Sequence, residues 1–254
     1  MISFERLIGD VYRLKVPFED IYTAVFLIKT DQGDALIDCA TTESDVNNVI
    51  IPALNEIGSE PKYIICTHFH GDHMGGLPYL LGRFGDAKAV LCHRESTEKH
   101  PWWDATIPKD GDELLGCLKI LSLPGHSDDS IGVLDERIKT LISGDCVQLG
   151  GVGRYGTGVC NGEKYILSIG RLSEMKLTNM ITSHEYYPLG SIAVGCEKVA
   201  EYLKMSRDIA YEIRDYALSL EIEDHGEIAE VYNKHFINRP PISGGTVKAL
   251  MSIK

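Results

Sequence analysis

The sequence predicts a mixed α/β (α+β) fold of two stacked β-sheets faced by helices, and three observations lead there. Short apolar segments of strand character fill the first third, strand and helix patterns alternate through the middle, and residues 196–254 are helical in pattern.

Val11–Lys15, Tyr22–Lys29 and Asp34–Asp38 are rich in Val, Ile, Leu and Tyr and are separated by Pro17 and the Asp31-Gln32-Gly33 turn, which reads as a meander. A helix starts near Thr42, whose hydroxyl can cap it while Glu43 and Asp45 favour its positive end. Val46, Val49, Ile50, Leu54 and Ile57 give it an apolar stripe, and Gly58 closes it. Lys62–Thr67 is a strand, Leu77–Phe84 a short helix, and Ala89–Cys92, Leu118–Leu123, Ile131–Leu134 and Ile138–Ser143 are further strands. Six glycines between Gly150 and Gly162, with Arg154 and Tyr155 among them, suit a loop. After a strand at Asn179–Ser183, Cys196–Leu220 carries Val199, Leu203, Ala210, Ile213, Ala217 and Leu220 on one helical face. The tail from Gly226 reads as two shorter helices split by Arg239-Pro240-Pro241. Residues 1–254 are taken as a single domain, with 196–254 as a helical C-terminal extension.

Composition narrows the function. The 254 residues are 44% apolar, enough for a substantial core, and 25 basic against 37 acidic side chains leave a net charge of −12. With no run of Lys or Arg to form a basic stripe, nucleic acid is not an expected partner. No 18-residue apolar stretch is present, and Met1 to Val16 interleaves Glu5, Arg6, Asp10 and Arg13 with apolar residues, so a cytoplasmic protein that does not enter a membrane is expected. The cysteines at 39, 66, 92, 117, 146, 160 and 196 are odd in number and form no CxxC pair. They are expected to be reduced and buried.

The chemistry is concentrated in Thr67-His68-Phe69-His70-Gly71-Asp72-His73-Met74-Gly75-Gly76, three imidazoles and a carboxylate within six residues after an apolar strand. A random match to His-x-His-x-Asp-His is expected roughly once in a thousand chains of this composition. His68 and His70 lie two apart on an extended segment and project the same way, while Asp72 and His73 follow on a turn. Cys66 and the apolar run before it make this a strand end, which disfavours a surface histidine cluster. Imidazole and carboxylate suit Zn, Fe, Mn or Co. Pro124-Gly125-His126, Ser143-Gly144-Asp145 and Thr182-Ser183-His184 each follow an apolar strand and each offer one further ligand at a strand end.

Taken in order, His68-x-His70-x-Asp72-His73, His126, Asp145 and His184 resemble the metallo-β-lactamase superfamily over about the first 190 residues, and Asp38 matches its first motif, a buried aspartate supporting the metal loop. The resemblance implies a four-layer αβ/βα sandwich with two divalent metal ions. One would be held by His68, His70 and His126, the other by Asp72, His73 and His184, with Asp145 bridging. Zinc is the expected metal, with iron or manganese as alternatives. Two cations about 3.5–4 Å apart share a water and lower its pKa towards about 7. The implied activity is therefore hydrolysis of a small-molecule thioester, ester or lactone by a metal-bridging hydroxide, with Asp72 in the acid/base role. The helical extension is expected to cover the substrate pocket.

Within the superfamily, thioesterases of the glyoxalase II kind, lactonases and related esterases share these motifs. The lactonases carry a tyrosine three residues after the bridging aspartate where this chain has Gln148, which argues against lactonase activity. A β-lactam hydrolase is the lesser alternative, because the best-known zinc set there replaces Asp145 by cysteine. Flavodiiron relatives carry glutamate where His70 stands. A mononuclear iron persulfide dioxygenase needs only His68, His126 and Asp145, so the intact Asp72, His73 and His184 favour two metals. Tyr186, Tyr187, Arg154 and Tyr155 are the candidate substrate contacts, with Trp102 and Trp103 as a pocket wall or a loop anchor. Arg207, Arg214, Lys234 and Arg239 could receive an anionic thiol carrier but read equally as solvated helix faces. The expected partner is a small molecule; the oligomeric state is open, a homodimer among the options.

Overall fold

Runs of buried apolar residues in the first third, Ala24–Ile28 and Ala35–Ile37 among them, form strands where the residue pattern asks for them. In the computed structural model, residues 2–91 and 105–254 are described. They divide into two units, Met1–Leu121 with Asp135–Ile138, and Ser122–Leu134 with Lys139–Lys254.

In the first unit, β1 (Glu5–Ile8), β2 (Val11–Phe18), β3 (Ile21–Thr30), β4 (Gly33–Ile37), β5 (Pro61–Ile65), β6 (Lys88–Val90) and β7 (Ala105–Thr106) form one sheet in sequence order. β1 to β4 run antiparallel, the predicted meander with one extra strand before it. β4 to β7 run parallel, and helical crossovers join β4 to β5 and β5 to β6. The first crossover starts at α1 (Glu43–Asp45), where Thr42 and Asp45 make a reciprocal capping box. It passes through a π-helical turn at Val46–Ile50 and ends in α2 (Ile51–Ile57), closed by Gly58 at φ 63°. The second contains two short helices, α3 (Gly71–Met74) and α4 (Leu77–Arg83). Leu14, Val25, Leu27, Leu36 and Ile64 from the sheet pack with Val46, Ile50, Leu54, Leu77 and Leu80 in one buried cluster. This core holds the ends of β4 and β5 rigidly, and the first four candidate ligands follow β5. The hairpin β8 (Glu113–Leu114) with β9 (Leu118–Ser122) is also antiparallel.

In the second unit the strands run β13 (Gly190–Val194), β12 (Asn179–Tyr186), β11 (Thr140–Ile142), β10 (Ile131–Asp135). β11 and β12 are parallel, β12 and β13 antiparallel. Between β11 and β12 lies α5 (Gly162–Glu174), which the sequence reading does not anticipate; Asn161 caps it by accepting from the Lys164 amide, and Tyr165, Ile169 and Leu172 supply its buried face. β1 and β13 are likewise unanticipated. The helical tail comprises α6 (Cys196–Ser219), α7 (His225–His235) and α8 (Gly244–Met251), with the break at Arg239-Pro240-Pro241 as expected. Asp224 and Ser243 cap α7 and α8. Asn233 fastens α7 to the chain before α8 by a two-way hydrogen bond with Ile242, 2.9 Å each way.

Among the described residues no helix is long and apolar enough to cross a membrane. One expectation is corrected: Cys39, Cys66 and Cys146 are buried, but Cys160 and Cys196 are exposed and Cys117 is half-buried. Cys160 lies in the glycine-rich loop and Cys196 opens α6, positions where no apolar neighbours close over the thiol. Cys92, His93, His100, Trp102 and Trp103 lie outside the described residues.

Candidate metal centre

The first donor set grows from the end of β5. Asp38, fully buried just beyond β4, has φ 64°, a left-handed conformation that an aspartate tolerates because its short polar side chain can bond locally. Its Oδ1 accepts from the Thr67 amide at 2.8 Å, and its Oδ2 accepts from the Thr67 hydroxyl at 3.0 Å and lies 2.7 Å from His73 Nδ1. The carboxylate can only accept, so it selects the His73 tautomer with the proton on Nδ1 and leaves Nε2 as a lone-pair donor. Having given its own proton to Asp38, the Thr67 hydroxyl accepts from His68 Nδ1 at 3.1 Å, which presents His68 Nε2 in the same way. His68 Nε2 is 2.9 Å from His70 Nδ1. Asp72 Oδ2 accepts from the Thr23 hydroxyl of β3 at 2.9 Å and lies 3.2 Å from His73 Nε2. One buried aspartate thus orients two imidazoles, directly and through a hydroxyl. Thr67 and Thr23 are assigned no role by the sequence reading.

Two glycines let the motif pack this tightly. A Cβ on Gly75 would stand 2.1 Å from the Thr41 carbonyl oxygen, and one on Gly76 2.0 Å from that of Cys39, whereas Gly71 has open space. Gly76 donates to the Ala40 carbonyl and Cys39 to the His73 carbonyl, stitching the motif to the chain after β4.

The second donor set lies in the second unit. His126 follows β9, Asp145 follows β11 and His184 lies on β12; their exposures are 7%, 6% and 4%. His126 Nε2 and His184 Nε2 face the same Asp145 Oδ2 at 3.7 and 3.5 Å. These separations are long for hydrogen bonds. Two ligands each about 2.0–2.2 Å from one tetrahedral cation stand about 3.3–3.6 Å apart, so the spacing suits donors gathered around metal. His126 Nδ1 lies 2.8 Å from the Gly158 carbonyl, which selects the tautomer with Nε2 as ligand. In both units, then, the donor chemistry and the tautomers fit divalent cations.

The substrate-contact candidates lie close by in sequence but differ in environment. Tyr186 is 2% exposed, its ring 6.0 Å from that of His184. Burial, reinforced by the Asp145 carboxylate, pushes its phenol well above the ordinary tyrosine range. Tyr187 is 52% exposed, and Arg154 stacks its guanidinium 5.4 Å from the ring of the exposed Tyr155. Each of the four candidate cations has a carboxylate within ion-pair reach: Arg207 with Asp208, Arg214 with Asp215, Lys234 with Glu230 and Arg239 with Glu212.

The profile of the metallo-beta-lactamase superfamily matches residues 19–189, more than half of the chain. The chain belongs to that superfamily. It is 33% identical over 147 residues to the protein YobT of Bacillus subtilis, covering 50% of this chain and 62% of that one. It is 28% identical over 201 residues to a hydroxyacylglutathione hydrolase of Vibrio cholerae, 78% of this chain and 75% of that one. Several relatives are spanned by less than two thirds of their own length, YobT among them. A metallo-beta-lactamase family protein of Thermus thermophilus aligns over 97% of this chain and 92% of its own with a TM-score of 0.69 at 17% identity. The fold is therefore the metallo-β-lactamase fold, two sheets with several helices, the C-terminal ones included. A member of this superfamily, the chain carries histidine and aspartate donors whose chemistry suits divalent metal.

Proposed function

We propose that this chain is a binuclear metal-dependent hydrolase of small-molecule thioesters, with His68, His70, Asp72, His73, His126, Asp145 and His184 as its metal-binding residues. The observation that carries the reading is the pair of imidazole Nε2 atoms facing the single Asp145 Oδ2 at 3.7 and 3.5 Å, an arrangement suited to a bridging carboxylate. Divalent cations held there supply Lewis acidity and a water acidified to near neutral pH. Asp72, steadied by the Thr23 hydroxyl at 2.9 Å, is placed to take up the proton released from attacking water and return it to the leaving group. Asp38 holds His73, and through Thr67 His68, in ligating tautomers throughout.

The relatives named hydroxyacylglutathione hydrolases favour an acylated thiol as substrate. The four candidate cations of the helical tail are engaged with carboxylates of that tail, so recognition of an anionic carrier by them is not built into the reading. The test is metal content per chain by elemental analysis on anaerobically purified protein, with hydrolysis of a panel of thioesters, lactones and aryl esters. Two zinc or manganese ions, thioester turnover, and loss of both in Asp145→Ala are expected. A single iron with oxygen uptake on a persulfide and no hydrolysis refutes the proposal.

A further inference from the structure

His126 is the only candidate ligand drawn from its loop, and the structure surrounds it with a brace that no ligand motif requires. Gln148, three residues after Asp145, is 3% exposed, although an amide side chain loses its water on burial unless hydrogen bonds replace it. The oxygen has one: it accepts from the Gly158 amide at 2.6 Å. The Nε2 lies 2.9 Å from His126 Nδ1, donor against donor while Nδ1 gives its proton to the Gly158 carbonyl, so the oxygen alone makes the bond. Gly158 is thereby held at its amide nitrogen, and its carbonyl, in the next peptide plane, accepts from His126 Nδ1 at 2.8 Å. Gln148 is itself fixed at the backbone: its N–H donates to the Tyr165 phenol oxygen at 3.0 Å, and that phenol donates to the Gln148 carbonyl at 2.9 Å. The far side is equally closed. A Cβ on Gly125, immediately before His126, would stand 2.4 Å from the Tyr165 Cα, so α5 limits how the segment before the imidazole can move.

We propose that Gln148 is a positioning residue for metal binding: by holding the Gly158 amide it fixes the carbonyl that accepts from His126 Nδ1, and so sets the rotation of His126 and aims Nε2 toward Asp145. This rests on the reading of His126 as a ligand. The side chain adds no ligand of its own and acts only through His126. Partners that orient a metal-bound histidine contribute roughly ten- to a hundredfold in metal affinity. A glutamine here does this with an amide oxygen that reaches the Gly158 N–H, which neither a shorter amide nor an apolar chain of equal length can do.

The test titrates metal-free protein with Zn²⁺ against a chromophoric chelator and follows unfolding of the same metal-free samples by circular dichroism. The variants are Gln148→Met, Gln148→Asn, Thr157→Val and His126→Ala. Thr157 is buried in the same loop and bonds the Leu149 carbonyl without touching the imidazole, so it reports loop packing alone. Gln148→Met and Gln148→Asn are expected to weaken one bound equivalent tenfold or more, with Thr157→Val within threefold of wild type. Should Gln148→Met not fold, Gln148→Asn decides, since it keeps a polar amide in the site. Wild-type affinity in the foldable Gln148 variants, alongside a loss in His126→Ala, overturns the positioning role and leaves the metal centre standing. Equal losses in Thr157→Val and the Gln148 variants also overturn it, by assigning the effect to the loop. Wild-type affinity in His126→Ala overturns the ligand reading and this inference with it.

Discussion

Asp38→Asn isolates the step on which the first donor set depends, because it keeps shape and backbone while changing which atoms can accept. Asparagine also tolerates the left-handed φ of 64° found at Asp38. The carboxylate accepts from the Thr67 amide on Oδ1 and from the Thr67 hydroxyl and His73 on Oδ2. An amide has one oxygen for these two places. With its oxygen toward His73, its NH2 meets the Thr67 N–H and strands a buried donor, at about 1–3 kcal/mol of stability. With its oxygen toward Thr67, its NH2 donates to His73 Nδ1, which moves the imidazole proton to Nε2 and removes the lone pair a metal needs. The first orientation costs stability and the second costs metal affinity, about ten- to a hundredfold for a lost orienting partner.

Asp38→Ala removes all three acceptances and places a Cβ-bearing residue without a compensating bond in the left-handed region, for a loss of about 4–7 kcal/mol. That is a large fraction of the roughly 5–15 kcal/mol of an ordinary domain. Urea unfolding of the metal-free proteins reads the first quantity and zinc competition the second. If Asp38→Asn unfolds within about 0.5 kcal/mol of wild type and binds zinc with unchanged affinity, the argument that Asp38 sets the His73 tautomer is wrong.

Gly76→Ala should destabilise by about 1–3 kcal/mol or more, from overpacking against the Cys39 carbonyl, while Gly71→Ala should be nearly neutral; urea midpoints compare the two. Burial raises the Tyr165 phenol above its ordinary value, so folding favours the neutral form. The stability this contributes is present below about pH 10 and is lost as pH rises through the raised value. Tyr165→Phe should therefore have a lower urea midpoint at pH 7 but a shallower fall between pH 9 and 11, and parallel profiles would count against this. Chelation should lower the wild-type thermal midpoint, since saturation a hundredfold above Kd stabilises by about 2.7 kcal/mol. Asp145→Ala should respond far less to the same chelator.

The parts of the fold that could be read in the sequence were those whose cause is local. Thr42 and Gly58 announce the ends of the first crossover helix because capping depends on residues within one turn of the boundary. The helix Gly162–Glu174 carries the same kind of signal, Asn161 at its cap and Tyr165, Ile169 and Leu172 in register, yet the glycines directly before it read as one loop running through its start. The π-helical turn at Val46–Ile50 leaves the apolar stripe nearly intact and so has no trace in a periodicity.

The same division runs through the candidate site. His68, His70, Asp72 and His73 stand out because metal ligation demands particular side chains and a strand end sets their spacing. His126, Asp145 and His184 are ordinary residues one at a time and gain meaning only in order. Their supports are harder still. Thr67 reaches Asp38 across 29 residues, and Gln148 reaches the Gly158 amide across 10. A hydroxyl or an amide that completes such a bond can be replaced in sequence by many others and imposes no spacing on its neighbours. What fixes it is closure of the fold, since a buried donor or acceptor left without a partner costs about 1–3 kcal/mol. Ligands are thus chosen by the chemistry of the cation and their supports by the geometry of the folded chain. A lone glutamine three residues after Asp145 could therefore weigh against lactonase activity from sequence alone, while its contact with a ligand became visible only in three dimensions.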